Sequence, residues 1–174
     1  MDEFIKIFAI ISNLSILLTF FFGVYIYYKQ SRLSIKLSSS QIVVEIYEQY
    51  SSPDFREKRR EFGKKLQFHI NDERHIVVSD YSRSASLFEN LGYLVRTGVL
   101  DKGMVLNVFG WAAANYFYIL RYGSDKFDYI KAERETWDSA LRELEYLYNI
   151  FVSENKNVIS RVTAQEFIDI EINI

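Results

Sequence analysis

The stretch Ile7–Tyr28, IFAIISNLSILLTFFFGVYIYY, decides how the rest of the chain is read. Its 22 residues carry no charge. At about 1.5 Å of rise per residue, such a helix covers the roughly 30 Å of bilayer hydrocarbon. Ser12, Asn13, Ser15 and Thr19 are its polar members. Serine and threonine can return hydrogen bonds to the helix backbone, whereas Asn13 is costlier and invites a partner helix. Tyr25, Tyr27 and Tyr28 close the run where an aromatic belt would sit, and Lys29, Arg32 and Lys36 follow at once. The other flank sets Asp2 and Glu3 against Lys6. The positive-inside rule then places the N-terminus outside and everything after the run in the cytoplasm. A core helix of a small domain rarely hides so long an uncharged segment. A cleaved signal peptide would have a basic start, a shorter apolar region and small residues at its end. Here the start is acidic, and Tyr28-Lys-Gln-Ser31 stands where the small residues should be. The run reads as a retained signal anchor in the inner (plasma) membrane.

Composition supports an anchor followed by an ordered domain. Of 174 residues, 49% are hydrophobic and 17% aromatic, richer than a disordered chain would be. One proline and seven glycines favour long helices over a many-turned sheet protein. The absence of cysteine excludes disulfides, thiolate metal sites and a cysteine nucleophile. The net charge of −2 conceals an asymmetry. Residues 1–28 hold one basic and two acidic side chains, residues 29–65 nine and five, and residues 66–174 eleven and sixteen, giving −1, +4 and −5. Positive charge is concentrated next to the anchor, a pattern unlike that of a uniformly basic nucleic-acid binder.

The remainder predicts an all-α fold: one N-terminal transmembrane helix, then a cytosolic bundle of about five helices. Residues 1–36 form the anchor and juxtamembrane segment, and residues 37–174 the cytosolic domain. Ser31–Gln41 is polar and serine-rich, either a linker or a helical continuation. Val43, Ile46, Tyr47 and Tyr50 follow helical spacing. Ser52-Pro53 supplies a cap and a proline for the first helical position. The helix after it sets Phe55, Phe62 and Leu66 against a basic face of Arg56, Lys58, Arg59, Arg60, Lys64 and Lys65. A third helix is expected over 76–97, with Val77, Tyr81, Ala85, Phe88, Leu91, Gly92 and Val95 as its core stripe and Gly98 as its stop. Asp101 is placed to cap a helix over 104–120 that is apolar nearly all round and should be the buried centre. A second membrane pass there is disfavoured by its length and by Asn107, Gly110 and Asn115. A last long helix should begin near Ser124-Asp125. Its seam runs through Phe127, Ile130, Arg134, Trp137, Leu141, Leu144, Tyr148 and Phe151. Thr163-Ala-Gln-Glu166 has the pattern of a capping box for a short final helix.

The chain shows no phosphate-cradling glycine loop, nucleophile elbow or paired histidines on one helix face. His69, Asp72, Glu73 and His75 are its only histidine-carboxylate cluster, and their spacing lacks the register of a metal site, so they read as surface loop residues. Glu89 sits about 100° from the core position Phe88 and should lie at the core boundary, pairing with a cation or a tyrosine. No catalytic, cofactor or metal residues are recognised, and the reading leans away from an enzyme. The basic side chains Lys29, Arg32, Lys36, Arg56, Lys58, Arg59, Arg60, Lys64 and Lys65 are candidates to face anionic lipid. Glu57 and Glu61 offer the run after Arg56 ordinary helix-face ion pairs as an alternative.

Two further stretches, Tyr50-Ser-Ser-Pro-Asp-Phe-Arg-Glu-Lys-Arg-Arg60 and Leu87-Phe-Glu-Asn-Leu-Gly-Tyr-Leu-Val-Arg-Thr-Gly-Val-Leu-Asp101, are followed by Val108-Phe-Gly-Trp111. Over about residues 40–122 this order resembles the bacterial domain-of-unknown-function family 4760. The resemblance implies a short anchor and a helical domain, and no activity. The expected function is a membrane-tethered interaction or regulatory module, with the membrane, a protein partner or a second copy as partners and no nucleic acid. The alternatives are a membrane-acting effector that oligomerises through Asn13 and the helix seam, and a ligand-sensing or enzymatic bundle. The last would need a convergent polar pocket, for which Glu89, Asn107, Asn115 and Arg134 are the candidates.

Overall fold

A computed structural model describes residues 2–71, 73, 76, 83–123, 138–155 and 159–174, with the backbone alone for 2–13, 83, 84 and 155. The fold is all-helical, and no strand occurs among the described residues. Contacts divide the chain into residues 1–38 and 39–174.

Helix α1 runs Asp2–Ser51, so the serine-rich stretch is helical rather than a linker. Within residues 14–38 every side chain is exposed, large apolar ones included. From Ser39 onward α1 belongs to the domain. The Ser39 hydroxyl donates to the Val99 carbonyl at 3.1 Å and accepts from the Asp101 N–H at 3.2 Å. Val43 and Tyr50 enter the core.

Helix α2, Pro53–Ile70, starts as its sequence dictates: the Ser52 hydroxyl accepts the Phe55 N–H, and proline occupies the first turn, where no N–H partner is needed. Helix α3, Arg83–Arg96, is shorter than expected, since Ile76 is buried outside any helix; Val77 and Tyr81 lie outside the described residues. Gly98 ends it with φ of 75°, a backbone state that costs glycine little, while the Val99 N–H bonds back to the Leu94 carbonyl. The Asp101 carboxylate then accepts the Met104 N–H at 3.0 Å and opens α4, Lys102–Tyr122.

Helix α4 packs against α2, α3, α5 (Arg142–Asn155) and α6 (Arg161–Asn173). Among the described residues it is the helix long and apolar enough to cross a membrane, yet 61% of that span is buried in the domain, as a core helix requires. Around it Phe88 meets Phe109 edge-on and Tyr116 at a tilt, Phe62 stacks on Tyr116, and Tyr116 and Phe167 meet edge-on with centroids 4.7 Å apart. Such ring pairs add about 0.5–1.5 kcal/mol each beyond the area they bury.

The C-terminal third differs from the expected single long helix. Residues 138–140 are helical, Leu141 forms a turn, and α5 starts anew at Arg142. The cause lies in α3: the Glu89 carboxylate accepts the Glu143 and Leu144 N–H groups at 3.1 and 2.9 Å, so these first-turn donors bond to a side chain from another helix. Of the expected seam, Leu141, Leu144 and Phe151 are buried and Tyr148 half-buried, joined by Leu147; Phe127, Ile130, Arg134 and Trp137 lie outside the described residues. The final helix opens on a capping box made by Ser160 and Thr163, three residues before the expected one, with Thr163 Oγ1 accepting the Ser160 N–H at 2.9 Å.

Gly92 lets α3 and α5 approach this closely. A Cβ there would collide with the Glu143 carbonyl, with the carbon 2.8 Å away. Backbone cannot swing aside as a side-chain tip can. Gly92→Ala is therefore expected to destabilise the domain by about 1–3 kcal/mol or more. Chemical denaturation measures this, and a loss under about 0.5 kcal/mol would contradict the close contact.

Candidate functional site

Among the described residues, Glu89, Asn107 and Asn115, the polar candidates for an internal site, do not converge. Glu89 is half-buried at the core boundary, as its spacing predicts, and its carboxylate accepts backbone N–H groups of α5. Asn107 is exposed. Asn115 is buried and donates to the Trp111 carbonyl at 2.9 Å within its own helix. Arg134 lies outside the described residues.

The buried polar cluster forms elsewhere. Arg59 is 7% exposed and Glu171 1% exposed. Arg59 Nε donates to Glu171 Oε2 at 2.9 Å and Nη2 to Oε1 at 2.5 Å, the bidentate fork that a guanidinium offers a carboxylate. The Tyr116 hydroxyl donates to Oε2 at 2.9 Å and the Tyr50 hydroxyl to Oε1 at 3.4 Å. The Arg59 guanidinium also lies over the Tyr50 ring, 3.7 Å from its centroid. Arg59 is therefore removed from the proposed lipid-facing set. Its position explains why: four residues after Phe55 and three before Phe62, it falls inside the apolar stripe of α2.

The cluster is closed chemically as well as sterically. A carboxylate has about four acceptor positions, and Glu171 spends one on each of four donors. Burial, reinforced by the Glu171 carboxylate, pushes the Tyr50 and Tyr116 hydroxyls above the ordinary tyrosine value. Both remain hydrogen-bond donors at neutral pH. Burial opposes the Arg59 charge, and the hydrogen bonds and charge of Glu171 more than offset it.

A cleft of about 370 Å³ opens between the end of α1, the start of α2 and α3, lined by Gln49, Asp54, Lys58, Ser86 and Asn90 among others. Its carboxylate is neutralised, because Lys58 bridges Asp54 one turn away. His69 is buried on α2 rather than in a surface loop; it follows Leu66 by three residues and shares the same stripe. His75 and Asp72 lie outside the described residues. No group of three metal-ligating side chains occurs among the described residues.

The other basic candidates separate by partner. Lys58 pairs with Asp54, and Arg60 with Glu57 at 2.8 Å and with the Ile174 carbonyl. Lys65 is half-buried, while Arg56 and Lys64 are exposed. Lys29, Arg32 and Lys36 are exposed on α1. No protein-family model, curated protein or solved structure matches the chain.

Two outcomes follow from the buried cluster. Glu171→Leu leaves a buried guanidinium without its counter-ion and should cost about 3–5 kcal/mol, whereas the Arg59→Leu/Glu171→Leu pair should cost far less. Denaturant titration of the three proteins checks this, and a double variant as unstable as the single one would refute it. The second concerns alkaline pH. The folded Tyr116 hydroxyl lies above its ordinary 10.0, so the fold favours the protonated phenol. That stabilisation is complete below about pH 10 and declines as pH rises through the folded value. The stability of the wild type relative to Tyr116→Phe should stay constant to about pH 9 and fall above 10; a difference that stays flat to pH 12 would count against it.

Proposed function

We propose that this protein is a membrane-tethered helical interaction or regulatory module. Ile7–Tyr28 of α1 spans the inner membrane with the N-terminus outside, and residues 39–174 form a cytoplasmic domain. The observation that carries this reading is the exposure of Leu14, Ile16, Leu17, Leu18, Phe20 and Phe21, each more than half exposed. With Phe22 and Ile26, also exposed, they spread around most of the helix circumference, so no single partner face would hide them; a hydrocarbon solvent does. The charge step after Tyr28 supports the orientation, and the resemblance over residues 40–122 is consistent with an anchored helical domain.

An interaction role is favoured over an enzymatic one because the buried cluster of Arg59, Glu171, Tyr50 and Tyr116 is filled by its own members. The effector alternative loses one of its parts, since Leu141, Leu144 and Phe151 of the seam are spent on the domain's own core. Surface apolar side chains remain for a protein partner, notably Val44 and Tyr47 on α1 and Val108 and Trp111 on α4.

The test is topology together with independence of the domain. Residues 39–174 resist protease added outside spheroplasts and are cut after lysis, and the full chain resists carbonate extraction. The 39–174 fragment, whose core residues all follow Ser39, is soluble and helical by circular dichroism. Digestion from outside, or a fragment that folds only in detergent, would falsify the assignment.

A further inference from the structure

The nine basic side chains near the anchor are not equivalent, and the difference singles out one face of α1. Tyr25, Lys29, Arg32 and Lys36 are spaced by four, three and four residues, which places them on one stripe of the helix. No acidic residue occurs between Glu3 and Glu45, so no carboxylate stands within a helical turn of any of the three cations. None of them makes an ion pair among the described residues. In α2, by contrast, Lys58, Arg59 and Arg60 each hold a carboxylate.

The Arg32 guanidinium lies 4.8 Å from the centroid of the Tyr28 ring, one turn toward the N-terminus. Helical side chains lean that way, so the cation sits above the turn before its own Cα, toward the apolar run. A groove of about 320 Å³ is lined by Tyr25, Tyr28, Lys29, Arg32, Leu33 and Lys36. From Lys29 to Lys36 the backbone rises roughly 10 Å, enough to carry three positive charges through a headgroup layer about 5–8 Å deep per leaflet.

We propose that this stripe of α1 binds the phosphates of anionic phospholipid headgroups in the cytoplasmic leaflet, with Lys29, Arg32 and Lys36 supplying the charge and Tyr25 and Tyr28 the amphipathic floor. The inference rests on the membrane-anchored reading above and adds the partner to it. Charge complementarity and position select this occupant: three unneutralised cations begin at the residue after the apolar run ends. On α2, by comparison, Lys58, Arg59 and Arg60 are already paired, and the remaining cations alternate with Glu57 and Glu61.

The experiment uses the full chain reconstituted in phosphatidylcholine vesicles with trace spin-labelled phosphatidylglycerol or phosphatidylcholine. The fraction of immobilised label reports association with the protein. The wild type should hold the anionic label at least about fivefold more strongly than the neutral one, the effect of a single well-placed cation. The preference should shrink in 1 M salt. Lys29→Gln/Arg32→Gln/Lys36→Gln should bring it close to onefold, and Arg56→Gln/Lys64→Gln should leave it unchanged. Because removing the stripe can alter insertion, Lys36→Gln alone is measured too, and it should lower the preference partway. Equal association of both labels with carbonate-resistant wild-type protein would overturn the headgroup site while leaving the anchor intact. A preference that survives the triple substitution, or that disappears with the α2 pair, would also overturn it. Wild-type protein that carbonate extracts would overturn the site and the anchor together.

Discussion

A carboxylate at the end of the chain and a guanidinium near the start of the domain meet where water does not reach, and the arrangement of the helices follows from satisfying them. Glu171 belongs to α6, Arg59 to α2, Tyr50 to the end of α1 and Tyr116 to the middle of α4, so four helices converge on two oxygen atoms. Apolar packing alone tolerates small slides of one helix along another. A buried bidentate pair does not, because a displacement of one turn would strand a charge in the core at a cost of several kcal/mol. Replacing both partners with leucine would keep the volume and remove the penalty for misalignment. The pair therefore fixes register more than it adds stability. The aromatic rings around it, from Phe62 to Phe167, pack against helices already held in position.

The second junction obeys the same logic with a weaker group. Glu89 supplies α5 with the cap that its own sequence lacks, Arg96 grips Glu143 with a bidentate contact at 2.7–3.1 Å, and Gly92 removes the side chain that would hold the backbones apart. Three positions on α3, spaced by three and four residues, thus define where α5 begins. Polar contacts set both junctions, and the apolar interior fills the space between them.

Local chemistry was legible in the sequence and tertiary chemistry was not. Ser52-Pro53, Gly98 and Asp101 act where their residue types say they should, because caps and left-handed turns depend on neighbours within four residues. The centrality of α4 follows from its apolar circumference. Charge alone assigns Arg59 to the basic face of α2, whereas its place between Phe55 and Phe62 puts it on the inner stripe. Glu171, four residues after Phe167, carries the same signal, and two opposite charges on two apolar stripes mark a buried pair. His69 follows the same rule. The break at Leu141 has no local sign: the sequence there continues a helical period, and the carboxylate that caps the new start lies 54 residues before Glu143. Likewise Thr163 reads as a cap from its own neighbours, and it becomes the third residue of a box only once Ser160 is seen to begin it.

The separation of the buried charges has a temporal side. Arg59 precedes Glu171 by 112 residues. At a synthesis rate of roughly 5–20 residues per second, Arg59 is synthesised about 6–22 seconds before its partner. Tyr116, the donor contributed by α4, emerges about midway and has no carboxylate to answer it either. Throughout that interval α2 presents an apolar stripe with an unanswered cation in its middle, and burying that stripe early would be penalised by the unpaired charge. The nascent domain is thereby kept from collapsing on an incomplete set of helices, and closure waits for α6.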